Sequence, residues 1–189
     1  MAMPAYSAEW TFDRVQALPD DGNRYEVIGG ELFVTPPPNV RHQFAITELV
    51  MLVGPYVRKL QIGRTITAPA DVIYGPRNAV QPDLFVSNVA IGTFPRDWPE
   101  LPPPYLIVEV VSPSTRGTDR RKKRTLYQRK GVAEYWIVDT TRRTIERWRP
   151  DSASAEVLTQ TIEWQPLQSE PPLVIDLVAF FGRVSGPSA

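Results

Sequence analysis

Hydrophobic and polar positions alternate early in the chain. Residues 24–28 (RYEVI) and 31–35 (ELFVT) flank Gly29 and Gly30, the pattern of a two-stranded hairpin closed by a two-residue glycine turn. Ahead of it, Thr11 is placed to cap a short helix that stops before Pro19. After the run Pro36-Pro37-Pro38-Asn39, the period lengthens. Phe44, Ile46, Leu49, Val50, Val53, Val57 and Leu60 recur at helical spacing, which predicts a helix over 40–60, kinked at Gly54-Pro55. Strand-like segments follow at 64–74, bent at Pro69, at 82–87 and at 105–111, the last two separated by a proline-rich loop at 95–104. A helix is predicted over 118–130 with Gly131 as its left-handed cap. Residues 134–139 and 144–150 read as a hairpin, and weaker strands near 156–160 and 173–177 precede a short helix near 177–181. Strands and helices in this order predict one α/β domain over 1–189, bordering on α+β, with helices packed on a mixed sheet.

Composition narrows the chemistry. The chain of 189 residues has no cysteine and one histidine, His42, which excludes disulfides, thiol nucleophiles, zinc-cysteine sites and histidine clusters within one chain. A metal would have to be held mainly by oxygen, which favours Mg²⁺, Mn²⁺ or Ca²⁺. No apolar run reaches the roughly 20 residues of a membrane helix, and the first residues lack the pattern of a signal peptide, so a cytoplasmic location without membrane contact is expected. The 20 prolines cluster and so punctuate loops. Net charge is zero, yet residues 116–149 carry 12 Lys or Arg against four acids. Such asymmetry points to an anionic partner for one face; the alternative is a solvated helix and hairpin whose charges pair with the acidic remainder.

The segment 105–111 holds the central anomaly. Leu106, Ile107, Val108, Val110 and Val111 read as a strand buried on both faces, with Glu109 in its middle. An ionised carboxylate there costs several kcal/mol unless something compensates it. An arginine pair, a metal and a catalytic lysine are all open. Asp83, at the head of Leu84-Phe85-Val86, would sit at the end of a neighbouring strand. Two carboxylates that close need a cation between them, although a Pro-Asp dipeptide alone is equally a plain turn. The helix over 118–130 offers a candidate base. With Asp119 as origin and about 100° per residue, Leu126 falls at about −20° and Tyr127 at about 80°, with Lys123 between them at about 40°. Lys122, Arg120, Arg121 and Arg124 fall outside that face. Lys123 therefore either aims at the acidic strands or snorkels to water. Two acids and a lysine suit phosphodiester hydrolysis, with the acids holding Mg²⁺ and the lysine steadying negative charge.

The runs GEL, QPDLFV, LIVEVVSPSTR, the spacing of Asp119, Lys123 and Tyr127, and GVAEYWIVD resemble the Uma-two family of putative restriction endonucleases, over most of the chain from Tyr25 onward. The resemblance implies the PD-(D/E)xK nuclease fold, a central mixed sheet flanked by helices. It also implies Asp83 and Glu109 as metal ligands. Where the superfamily pattern has a lysine two residues after the glutamate, this chain has Val111, and the family pattern implies that Lys123 takes that place.

The expected function is a Mg²⁺-dependent endonuclease, with Mn²⁺ as an alternative, acting on nucleic acid and on DNA first. Asp83, Glu109 and Lys123 form its catalytic set, and Arg116, Arg120, Arg121 and Arg124 contact phosphates. The rival is a catalytically silent nucleic-acid-binding or interaction module on the same fold, and a structural assembly protein is a third reading. Cutting both strands with one small site would call for a homodimer. Glu31 reads as a hairpin surface charge ahead of an extra site acid. His42 reads as structural ahead of a cleft residue. Ser112, Ser114 and Thr115 read as turn and cap residues ahead of a phosphate loop. Trp98, Trp136, Trp148 and Trp164 read as core or interface.

Overall fold

The computed structural model describes residues 9–90, 92–94, 102–111, 117 and 119–186. A first helix α1 (Phe12–Gln16) is capped by the Thr11 side chain. Strands β1 (Arg24–Ile28) and β2 (Glu31–Thr35) form the expected hairpin, with Gly29 and Gly30 both at positive φ. Helix α2 (Val40–Leu60) runs unbroken through Pro55. Then come β3 (Arg64–Thr67), β4 (Val72–Ile73), β5 (Asn78–Val80), β6 (Leu84–Ser87) and β7 (Leu106–Val110). A π-helical turn (Asp119–Lys123) leads into α3 (Arg124–Arg129), and Gly131 has the left-handed φ expected of a cap. The chain continues through β8 (Glu134–Asp139), β9 (Thr144–Trp148), β10 (Glu156–Leu158), β11 (Thr161–Trp164), β12 (Leu173–Asp176) and α4 (Leu177–Ser185).

Six strands make the main sheet in the order β10-β9-β8-β7-β6-β3. It is mixed: β7 and β8 are parallel, and every other pairing in it is antiparallel. The parallel step is where the π-turn and α3 cross over, as a parallel pair requires. A second, antiparallel sheet has the order β2-β1-β5-β4, and β11 pairs with β12. The segment expected as one bent strand over 64–74 thus divides at Pro69. β3 joins the main sheet and β4 the second one. Strand β5, which sequence periodicity did not mark, pairs with both β1 and β4.

Alternation along the central strands sorts their side chains into two cores. Leu84, Val86, Leu106, Val108, Trp136 and Val138 pack with Leu49, Val53 and Val57 of α2 and with Phe180 and Phe181 of α4. Phe85, Ile107, Tyr135 and Ile137 point the other way. They pack with Leu126 and Tyr127 of α3 and with Ile28, Val72 and Val80 of the second sheet. The second sheet and α3 therefore cover one face of the main sheet while α2 and α4 cover the other. Trp136 and Trp164 are core residues. Trp98 lies outside the described residues.

Candidate active site

Glu109 is on the same face of β7 as Ile107, two residues away. The antiparallel register pairs Leu84 with Val108, so one step further sets Asp83 beside Glu109. Both carboxylates are buried, 2% exposed at Asp83 and 1% at Glu109, and both border one cleft. Its wall also includes Arg24, His42, Pro36, Pro37 and Pro38.

Each acid has its own partners. Asp83 Oδ1 accepts from Arg24 Nη1 at 2.7 Å. Asp83 Oδ2 accepts from the Val110 backbone N–H at 2.8 Å and lies 3.0 Å from His42 Nε2. Burial alone would push the Asp83 carboxyl up, but His42 and Arg24 outweigh it and hold it down at about 2. Glu109 Oε1 accepts from Lys123 Nζ at 2.9 Å and from the Tyr127 hydroxyl at 3.1 Å. Its Oε2 takes no hydrogen bond from the described residues. Burial pushes the Glu109 carboxyl well above the usual carboxylate range; Lys123 opposes the shift, while Asp83, Asp119 and Glu26 add to it.

Lys123 is 2% exposed, whereas Lys122 is 44% exposed at its side chain and pairs with Glu31 at the surface. Lys123 Nζ lies 2.9 Å from both Glu109 Oε1 and Glu26 Oε1, and 3.7 Å from Asp119 Oδ1. Burial would lower its pKa, but these three acids raise it, so the ammonium stays charged. Lys123 reaches Glu109 from the side of the core. Among the described residues it is not on the cleft wall.

Sequence reasoning missed Arg24, Glu26 and the inward role of Asp119. Arg24 and Glu26 alternate on one face of β1 with Ile28, which packs in the second core, so the second sheet closes the site. Glu26 also accepts from the Gln81 backbone N–H at 2.7 Å. A charged residue two positions before a buried apolar one was the available signal. It went unused because a hairpin normally keeps one face in water. Among the described residues, four carboxylates (Glu26, Asp83, Glu109, Asp119) gather around two cations (Arg24, Lys123), and burial with the neighbouring acids makes the charge on Glu109 costly.

An acid-rich cluster suits a hard divalent cation, and Asp83 and Glu109, which both border the cleft, carry suitable oxygen donors. Among the described residues, no three His, Asp or Glu side chains form a ready-made metal cage. Asp83 and Glu109 completed by water is the set the cleft offers.

The arginines expected to meet phosphate are placed differently. Arg120 is partly buried, and its Nε donates to Glu146 Oε1 at 2.7 Å while its Nη2 lies 3.6 Å from Asp139. Arg120, expected as a phosphate contact, is thus already paired within the protein, because β8 and β9 bring those acids to it. Arg124 stacks 4.7 Å over the Trp148 ring. Arg121 is exposed and forms no ion pair with the described residues. None of the three borders the cleft. Arg116, Ser112, Ser114 and Thr115 lie outside the described residues. His42 is seated on the cleft and bonded to Asp83, and Glu31 is at the surface.

Comparison with solved structures bears on the fold. The crystal structure of a putative nuclease belonging to DUF820 from Anabaena variabilis matches with a TM-score of 0.73 and 21% identity, over 92% of this chain and 98% of that one. At that identity the likeness carries the fold, a mixed sheet between helices. The sequence profile of the Uma2 family, described as putative restriction endonuclease, matches residues 12–179, and the chain belongs to that family. Comparison with curated proteins gives no match.

Proposed function

We propose that this chain is a divalent-metal-dependent endonuclease that hydrolyses phosphodiester bonds, with DNA as substrate. The observation that carries the reading is the juxtaposition of Asp83 and Glu109 at the ends of adjoining strands on one cleft, in a cluster where carboxylates gather around Arg24 and Lys123. Family membership supports the same reading.

Bound Mg²⁺ or Mn²⁺ would supply Lewis acidity toward a phosphoryl oxygen and a more acidic water. Asp83 and Glu109 would hold it. Lys123 and Tyr127 anchor Glu109 through Oε1, which fixes the direction of its other oxygen. A permanent cation behind Glu109, in a site of low dielectric, favours negative charge gathering on the attacked phosphate or the attacking water. Lys123 thus acts from its buried position without needing to reach solvent. The prolines at 36–38, also on the cleft wall, restrict the backbone there. Cutting both strands would use two copies of the chain.

The silent-module reading draws on one observation: both Asp83 oxygens already have partners within the protein. A plasmid-nicking time course in Mg²⁺ and in Mn²⁺ separates the two. The parent should nick, and Asp83→Asn should lose about 10² or more in rate, the scale of removing one directed electrostatic contact. A parent that nicks under neither metal makes the silent binding module the better reading.

A further inference from the structure

Asp83 has partners at both of its oxygens. At Oδ2 the Val110 N–H is fixed by the main sheet, and His42 is fixed by the first turn of α2. At Oδ1 the partner is Arg24, a long side chain on the cleft wall and 18% exposed. Oδ1 is therefore the oxygen most easily vacated. Arg24 cannot retreat far, because its backbone is paired with Thr35 in the β1–β2 ladder. Its Nη1 also donates to the Gln81 carbonyl at 3.1 Å, while its Nε is buried with no hydrogen-bond partner. A buried N–H without an acceptor is costly, and a guanidinium fork with an unused donor matches a phosphate.

We propose that Arg24 is a phosphate-binding residue of this cleft. In the metal-free protein it serves as the counter-ion of Asp83, and it turns to a substrate phosphate once a divalent cation occupies that carboxylate. This rests on the metal-dependent reading above. A divalent cation takes over the role of Arg24 at Asp83 and also neutralises Glu109. The positive charge of Arg24 is then released toward the nucleic acid. Metal and nucleic acid must consequently strengthen each other's binding.

The test uses Ca²⁺ as the probe on full-length parent, Arg24→Gln and Arg24→Lys. Calorimetry measures Ca²⁺ affinity, and fluorescence anisotropy of a short labelled duplex measures DNA affinity with EDTA and with Ca²⁺. In the parent, Ca²⁺ should raise duplex affinity. Arg24→Gln removes the competitor and should bind Ca²⁺ about tenfold more tightly, while the Ca²⁺-dependent gain in duplex affinity falls by about tenfold. Arg24→Lys keeps a counter-ion for Asp83 and should retain the fold and roughly the parent's Ca²⁺ affinity. It should still lose most of the gain, because it lacks the fork. If Arg24→Gln does not fold, Arg24→Lys decides alone. A parent that takes up no Ca²⁺ overturns the metal-dependent reading and this proposal with it. A parent that binds Ca²⁺, beside an Arg24→Lys variant with an undiminished gain or an Arg24→Gln variant with equal or weaker Ca²⁺ affinity, overturns the role of Arg24 alone.

Discussion

Glu109 and Asp83 answer to pH in opposite directions. Burial and three neighbouring acids hold the Glu109 proton above the usual carboxylate range. The folded protein therefore keeps a proton that the unfolded chain has released. The stability this contributes is full below the ordinary Glu range and is lost as pH rises through the raised value. Asp83 is held at about 2, so its contribution is present above the ordinary Asp range and disappears as pH falls toward that value. Metal-free protein should accordingly melt at lower temperature as pH rises above the ordinary glutamate range, and added Mg²⁺ should recover more at the higher pH, because the cation replaces the proton. Glu109→Gln should flatten that limb, raise metal-free melting temperature near neutrality and abolish the Mg²⁺ shift. Thermal melts across pH, with and without Mg²⁺, check all three. Lys123 and Lys122 provide a second contrast. Lys123→Ala strands Glu26 and Glu109 beside each other and should cost about 3–5 kcal/mol without metal, with part of the loss recovered by Mg²⁺. Its nicking rate should fall by about 10² or more. Lys122→Ala removes a surface pair with Glu31 and should stay within about 0.5 kcal/mol and near the parent's rate. Equal losses in the two variants would count against the buried lysine.

At the scale of elements, helix α2 begins where the site needs it. The Asn39 side chain accepts from the His42 backbone N–H at 3.0 Å, a helix N-cap that also seats His42 over Asp83. Asn39→Ala should cost about 1 kcal/mol. Because the lost bond ends at His42 itself, the His42–Asp83 contact should loosen as well. Chemical denaturation gives the first quantity, and the imidazole resonances of this single histidine, followed by NMR, give the second. An unmoved His42 signal beside a lowered stability would show that the cap and the site are independent. The π-turn at Asp119–Lys123 is the other element that sets the site. It buries both of its terminal residues toward Glu109 while leaving Arg121 and Lys122 outside.

For the whole molecule, the charge asymmetry seen along the chain is partly cancelled in space. Arg120, Arg147 and Arg149 pair with Glu134, Glu146 and Glu156 of the hairpin strands. Less of the surplus over 116–149 is therefore open to a polyanion than the sequence count implies, and among the described residues of the expected set Arg121 is the exposed one. Log affinity for duplex DNA should fall linearly with log salt, and Arg121→Ala should reduce that slope by about 0.9, the contribution of one neutralised phosphate. Arg120→Ala should leave the slope unchanged and lower stability instead, because Glu146 loses the guanidinium it accepts from. Binding isotherms at several salt concentrations, with melts of both variants, separate surface charge from structural charge.

The sequence by itself determined the elements whose pattern is local. The glycine hairpin, the long helix over 40–60, the strands around Glu109 and Tyr135 and the cap at Gly131 all follow from spacing and turn chemistry that act within a few residues. The phase of Leu126 and Tyr127 likewise placed Lys123 inward, despite the wider π-turn. Tertiary structure alone decided what the buried charges touch. It split the segment over 64–74 between two sheets, set Asp83 against Glu109 by register, and folded β1 over them so that Arg24 and Glu26 joined the cluster. It also turned Arg120 from a candidate phosphate contact into a structural partner of Glu146. The physical reason is range. Periodicity reports which side of an element is buried, because that depends on neighbours three or four residues away. The partner of a buried charge depends on which element arrives beside it from far along the chain, as Arg24 arrives beside Asp83 from 59 residues away.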